Sequence, residues 1–315
     1  MLGGLHWCGL NAHALERSTC AARLAPGYIV AGAHAFRVTR NSDLYIDDEE
    51  VDNLLKKIEE ELRNLRRGAA VRLEIEEGVD EALFAALCGH LALDPANAFR
   101  LPAPLNLGRL MSLYDQVDRP DLKYAQFEPA VPREVAKEPT MFDAIRKRDI
   151  LLHLPYQSFL PVVNFLKEAA NDPQVVAIKQ TVYRTGTDSV LMKYLINAAE
   201  RGKEVTVVLE LMARFDEEAN INWAQRLEQV GAHVVYGVVG TKTHAKMLMV
   251  VRIEKNIINH MLTTSLRRYV HLSTGNYHAR TARLYTDYGL FTCNDAITAD
   301  VNDMFMQLTG LGRAN

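Results

Sequence analysis

A histidine and a lysine stand two residues apart where a strongly apolar run begins. In the stretch "GVVGTKTHAKMLMVVR" they are His244 and Lys246. Side chains two apart on a strand share a face, so both would point the same way. An imidazole can attack phosphorus or move a proton, and an ammonium can neutralise a phosphoryl group. The alternative, a strand end with a structural histidine and a lysine reaching into solvent, stays open on spacing alone.

Two arginines follow other predicted strands. Arg184 comes after "QVVAIKQTVY", and Arg214 comes shortly after "EVTVVLEL". Ligands gather at the carboxyl ends of strands in α/β sheets, and a guanidinium fork fits phosphate oxygens. These positions predict a phosphate-binding rim beside His244. Alternatively, Arg214 could form an ordinary surface pair with Asp216 or Glu217.

A third polar stretch, "STGNYHARTARLYTDYGLFT", combines a turn signal with basic and aromatic residues. Arg283 and Tyr285 lie in it, together with Arg280 and Asp287. The functional interpretation is a phosphate-binding surface near the histidine. The structural alternative is a hairpin or bulged strand with ordinary tyrosine packing, and spacing alone slightly favours this alternative.

Strands and helices alternate through the second half of the chain, which predicts an α/β fold with a mostly parallel sheet and flanking helices. A smaller α+β domain precedes it, with a helix predicted over 47–68 from apolar residues at helical spacing. Prolines punctuate residues 115–148, which places the boundary near Pro139. We therefore expect domains at 27–138 and 139–315, and leave residues 1–26 unassigned.

Bulk composition narrows the function classes. The chain has 315 residues, 48% hydrophobic and 24% charged, and a net charge of -3, which provides no general attraction for nucleic acid. Its 4 cysteines form no CxxC pair, which fits a reducing cytoplasm. We expect no transmembrane segment, although peripheral membrane association is compatible with the sequence.

Several long motifs resemble one family. They are "FRVTRNSDL", "PLNLGRLMSLYD", "RDILLHLPYQSF", "AIKQTVYRTGTDS", "LMARFDEEANINWAQRLEQVGAHVVYG", "KTHAKMLMV" and "STGNYHARTARLYTDYGLFT". In this order they resemble the bacterial polyphosphate kinases of the phospholipase-D-like superfamily. The resemblance runs from about 27 to 310, and is interrupted at "IEKNIINHMLTTS". It implies a phospholipase-D-like catalytic half after a head-like domain that serves oligomer contacts.

The resemblance implies reversible transfer of the terminal phosphate of ATP to polyphosphate, with Mg²⁺ and a phosphohistidine intermediate. ATP or ADP and polyphosphate would be the partners of a homo-oligomer. His244 in "THAK" matches the phosphorylated histidine of the family, and Lys246 stands beside it.

Other positions match residues that the family uses for substrate. Tyr285 in "ARLYTD" matches a residue that contacts the nucleotide phosphates, and Arg283 lies next to it in the sequence. Arg184 and Arg214 match positions that the family assigns to its magnesium site. A guanidinium has no free lone pair for a metal, so we expect these two to hold phosphate beside a phosphate-bound ion.

Two departures from the wider pattern bear on function. Many relatives in the superfamily carry an aspartate five residues after the lysine, where this chain has Val251, and that difference favours a kinase over a phosphodiesterase. The family also continues past Gly310 with a second catalytic half, so we expect an incomplete fragment. The alternatives are a phospholipase-D-like phosphodiesterase or nuclease using the same histidine, and an inactive oligomerisation fragment.

Overall fold

The computed structural model of the chain describes residues 27, 29, 32–41, 58, 62, 68–184, 186–211, 213, 216–237, 242–258 and 261–310, with the backbone alone for 256–258 and 261–262. These residues form two compact units. The smaller contains the described residues from 27 to 41 and 68 to 124, and the larger contains Ile58, Leu62 and the described residues from 125 onwards. Each is treated by itself.

The described part of the smaller unit is a three-stranded sheet with one long and one short α-helix. Its strands are β1 (Phe36–Arg40), β2 (Ala70–Glu76) and β3 (Ala98–Leu101), and its helices are α1 (Glu81–His90) and the short α2 (Leu113–Gln116). Strand β2 is central, antiparallel to β1 and parallel to β3. Asp80 is the N-cap of helix α1. Its side chain accepts a hydrogen bond from the Leu83 N–H at 2.8 Å, which satisfies a donor of the first turn.

The larger unit is a seven-stranded sheet with helices on both faces. Its helices are α3 (Arg133–Ala136), α4 (Met141–Lys147), α5 (Leu160–Asn171), α6 (Val190–Glu200), α7 (Glu217–Gln229) and α8 (Asp295–Leu308). Its strands are β4 (Ile150–Leu154), β5 (Val175–Val182), β6 (Glu204–Leu209), β7 (His233–Val235), β8 (Lys246–Ile258), β9 (Met261–Ser273) and β10 (Asp287–Thr292). The strand order is β4-β10-β9-β8-β5-β6-β7.

The α/β class with flanking helices is confirmed, but the sheet is mixed rather than mostly parallel. Among the described strands of this seven-stranded sheet, only β5–β6 and β6–β7 pair in parallel, while β4–β10, β9–β10, β8–β9 and β5–β8 are antiparallel. The apolar runs that suggested parallel strands have another cause: helices cover this sheet on both faces, so its central strands are buried whatever their direction.

Two predicted elements differ from the structure. The stretch "IEKNIINHMLTTS", which interrupts the family resemblance, forms the outer arms of a long β8–β9 hairpin, with residues 259–260 outside the described part. Most of the helix predicted over 47–68 also lies outside it. The described Ile58 and Leu62 are helical and pack in the core of the larger unit, although the sequence placed that helix in the first domain.

The main core lies between the sheet and helices α4 to α7. Phe165 at its centre is fully buried and makes edge-to-face contacts with Phe142 at 5.6 Å and Phe291 at 5.5 Å between ring centroids. A smaller apolar cluster beneath α8 covers the opposite face. No helix within the described residues is long and apolar enough to cross a membrane.

Removing the central aromatic ring should destabilise the larger unit. Phe165→Ala deletes a fully buried side chain and leaves a cavity that its neighbours fill only partly, and we expect a loss of about 3–5 kcal/mol in the free energy of unfolding. Urea denaturation followed by circular dichroism measures it. Phe127→Ala is the matched control because that ring is 63% exposed. Equal losses for the two variants would contradict the packing described here.

Candidate active site

Three strand ends meet at one rim of the seven-stranded sheet. Because β5 and β8 are antiparallel, with Gln180 opposite Leu248, the end of β5 lies beside the beginning of β8. Strand β6 runs parallel to β5, and the Glu210 N–H donates to the Val182 carbonyl at 2.9 Å just past their ends. The residues that follow β5 and β6 therefore lie next to those that lead into β8.

His244 and Lys246 lie at this rim, and both contact the Tyr183 ring. The His244 and Tyr183 rings meet edge to face, 4.9 Å apart and at 85°. The Lys246 ammonium lies over the same ring, 5.5 Å from its centroid, and donates to the His244 carbonyl oxygen. His244 precedes β8 and is exposed, whereas Lys246 is the first residue of β8 and only 7% exposed. The imidazole is thus reachable from solvent, with a buried cation behind it.

Desolvation lowers the pKa of both groups, and nearby cations lower that of His244 further. The pKa of His244 is lowered first by partial burial, then by the Lys246 ammonium and to a smaller degree by Lys242, while Glu210 raises it. Burial also lowers the pKa of Lys246, opposed by the carboxylate of Asp287. A lowered imidazole pKa enlarges the neutral fraction near neutral pH, and the neutral ring is the nucleophilic form.

Polar groups behind the rim hold these loops in place. The Glu210 carboxylate is 5% exposed and accepts the Thr243 N–H at 2.9 Å. The fully buried Asn220 side chain donates to the Tyr183 and Glu210 carbonyl oxygens at 3.0 and 2.9 Å. Sequence reasoning missed Tyr183, Glu210 and Asn220. The signal available for the first two was their position directly after β5 and β6.

Of the two predicted arginines, the structure describes Arg184. It follows Tyr183, its side chain is 40% exposed, and its Nε lies 3.4 Å from an Asp216 carboxylate oxygen. Arg214 lies outside the described residues. Asp216, which the sequence analysis considered as a partner of Arg214, forms an ion pair with Arg184.

The segment between β9 and β10 approaches the rim through Asp287. Thr274 donates its hydroxyl to the Asp287 carboxylate at 2.9 Å, and a side chain on Gly275 would lie 2.3 Å from that carboxylate, so only glycine fits there. Arg283 ends a short 3₁₀ turn, and Tyr285 is 62% exposed. Neither of these two side chains has a hydrogen bond or ion pair with a described residue.

The described residues do not fit a protein-held magnesium site. They contain no group of three or more His, Cys, Asp or Glu side chains placed to hold an ion. Arg184 offers only donors, and guanidinium nitrogens cannot act as metal ligands at neutral pH. What the rim does offer is an exposed imidazole with cations around it, an arrangement suited to binding and attacking a phosphoryl group.

Comparisons with known proteins agree along the chain. The model for the polyphosphate kinase middle domain matches residues 18–113, and the model for polyphosphate kinase C-terminal domain 1 matches residues 140–314. Polyphosphate kinases of Burkholderia vietnamiensis and Paraburkholderia phytofirmans are 54% and 53% identical to it over 289 residues, 92% of this chain.

A solved structure extends the comparison. The crystal structure of polyphosphate kinase from Porphyromonas gingivalis is 28% identical, with a TM-score of 0.70 over 94% of this chain and 41% of that one. The chain spans 42% of the length of the Burkholderia vietnamiensis protein. Since family models for two successive domains match most of the sequence and the backbone follows a solved member, the chain belongs to the polyphosphate kinase family.

Proposed function

We propose that this chain carries the phosphoryl-accepting half of an ATP–polyphosphate phosphotransferase, with His244 as the acceptor. The observation that carries the proposal is the grouping of an exposed imidazole and a buried ammonium around Tyr183 at the rim where β5, β6 and β8 meet. Membership of the polyphosphate kinase family supplies the substrate class, ATP and polyphosphate.

In the proposed reaction a neutral imidazole nitrogen of His244 attacks the γ-phosphorus of ATP in line with the leaving group. A nitrogen–phosphorus bond forms, the bond from the γ-phosphorus to the bridging oxygen breaks, and its electron pair leaves with ADP. The terminal oxygen of polyphosphate then attacks the phosphohistidine, which lengthens the polymer by one phosphate and restores the imidazole. Running both steps backwards makes ATP from ADP.

The cations of the rim would offset the charge of the transferred group. Lys246 would contact the transferred phosphoryl group from the beginning of β8, and Arg184 would contact phosphate oxygens from the end of β5. We propose the same role for Arg214, and nucleotide-phosphate contacts for Tyr285 and Arg283, whose exposed side chains are accessible to a ligand. Any Mg²⁺ would arrive bound to the nucleotide phosphates.

Assembly and location remain part of the proposal. The family resemblance supports a homo-oligomer, with a head-like domain over about 27–138 and a catalytic half over 139–315. Cys88 and Cys293 are free thiols, which fits a cytoplasmic enzyme.

Labelling with γ-phosphate-labelled ATP tests the acceptor directly. We expect an acid-labile, alkali-stable label on the chain that His244→Ala abolishes, because this exposed imidazole stands beside the cations of the rim. His233→Ala, at an exposed position at the start of β7, should keep the label. The assay should also use a chimera carrying the remaining segments of the Burkholderia vietnamiensis relative, since this chain spans 42% of it.

The outcomes separate the alternatives. A label that survives His244→Ala in both forms would exclude this nucleophile. Labelling of the chimera alone would identify the chain as an incomplete catalytic fragment. Cleavage of a phosphodiester substrate without use of ATP would favour the phospholipase-D-like alternative.

The rate of labelling should depend on pH through the His244 imidazole. Only the neutral ring attacks, so the rate rises with pH through the pKa of His244. Because burial and Lys246 lower that pKa below its ordinary value of 6.5, the midpoint of the acidic limb should lie below pH 6.5. Initial labelling rates should be measured between pH 4.5 and 8 at ATP concentrations well below saturation, because these rates report the free chain. A midpoint above pH 6.5 would contradict the described electrostatics.

Tyr183 should support His244 and Lys246 through its aromatic ring rather than its hydroxyl. Both described contacts, with the His244 imidazole and the Lys246 ammonium, involve the ring. We expect Tyr183→Phe to keep the labelling rate within about twofold, and Tyr183→Ala to lower it on the order of tenfold to a hundredfold, because the two groups lose their shared support. Equal losses in the two variants would show that the hydroxyl is the important group.

A further inference from the structure

We propose that Glu210 is the positioning residue of His244: it fixes the segment that carries the imidazole and provides the negative charge behind it. This inference rests on the proposed function in so far as His244 is the reacting group. Glu210 directly follows β6, whereas His244 precedes β8. Glu210 lies 33 residues before Thr243, so the link is one of tertiary structure.

Glu210 is itself held firmly. Its N–H donates to the Val182 carbonyl at the end of β5, and its carbonyl accepts from the Asn220 side chain at the beginning of α7. Its side chain is buried at 5% exposure. A buried carboxylate held at the ends of two neighbouring strands has little conformational freedom. It therefore provides a fixed acceptor for the segment that contains Thr243 and His244.

The carboxylate bonds the peptide next to the imidazole. Oε2 accepts the Thr243 N–H at 2.9 Å, and this hydrogen bond is buried. Gly237 also lies near this carboxylate. Its φ is +54°, and a Cβ at this position would lie 3.8 Å from the same oxygen. Because Thr243 directly precedes His244, fixing its amide sets the position from which the imidazole reaches over the Tyr183 ring.

The negative charge of Glu210 opposes the electrostatic effect of the cations near His244. The described charges that act on the imidazole are the cations Lys246 and Lys242 and the carboxylate of Glu210, and the ring that packs against it is Tyr183. When a neutral imidazole forms a bond to phosphorus, positive charge develops on the ring. A nearby buried carboxylate stabilises that charge.

Two substitutions separate the bond from the charge. Glu210→Gln keeps an oxygen that can accept the Thr243 N–H but removes the charge, whereas Glu210→Ala removes both. NMR of the full chain would follow the titration of His244 and the hydrogen exchange of the Thr243 amide. Glu204→Gln is the control, because Glu204 is an exposed carboxylate at the other end of β6.

We expect Glu210→Gln to lower the pKa of His244, to keep the Thr243 amide protected, and to slow labelling on the order of tenfold to a hundredfold. In Glu210→Ala the Thr243 amide should exchange about tenfold faster or more. Glu204→Gln should change none of these values.

An unchanged His244 titration in Glu210→Gln would overturn the proposal, as would an equal shift in Glu204→Gln. Unchanged exchange at Thr243 in Glu210→Ala would overturn the positioning step. If Glu210→Ala does not fold, Glu210→Gln decides the role of the charge, and Glu210→Asp, whose shorter side chain withdraws the acceptor from the Thr243 N–H, decides the positioning step by the same exchange measurement. Absence of label on the wild-type chain and the chimera would reject the proposed function only, since the titration needs no phosphoryl transfer.

Discussion

The antiparallel pairing of β5 with β8 is the constraint on which the site depends. It brings the beginning of β8 to the edge where β5 and β6 end, so His244 and Lys246 arrive beside Tyr183 and Glu210. In an all-parallel sheet, residues that precede a strand would lie at the opposite edge from residues that follow one. Pairing β8 in parallel would therefore separate the imidazole from the groups that surround it here.

Part of this arrangement could be predicted from local sequence. Apolar runs and helical spacing indicated the α/β class, and the family motifs indicated His244 with its lysine. Strand direction could not be predicted in the same way, since a strand buried on both faces shows the same apolar run whether its neighbours are parallel or antiparallel. The roles of Tyr183 and Glu210 were missed for a related reason, because their contacts join residues 61 and 33 positions away, which no local pattern connects.

Buried charges at two positions along β8 are paired differently. Glu254, eight residues and about 26 Å along the strand from Lys246, accepts from the Tyr269 hydroxyl at 2.6 Å and from Arg252 at 2.8 Å, with Arg146 at 3.3 Å. Arg252 also bonds Asp172 at 2.8 Å. Each of these charges has a direct partner of opposite sign, as buried charges require.

At the rim, Lys246 is nearly as buried as Glu254 but has no carboxylate within ion-pair distance among the described residues. A backbone carbonyl and the Tyr183 ring support its ammonium, and Asp287 acts on it only from a distance. Such an arrangement stabilises the fold less than a closed ion pair would, because the desolvation of the ammonium is only partly offset. A fully paired lysine would have little attraction left for an incoming phosphoryl group. The incomplete pairing of Lys246, beside the complete pairing around Glu254, is therefore what the phosphate-binding role proposed for this lysine requires.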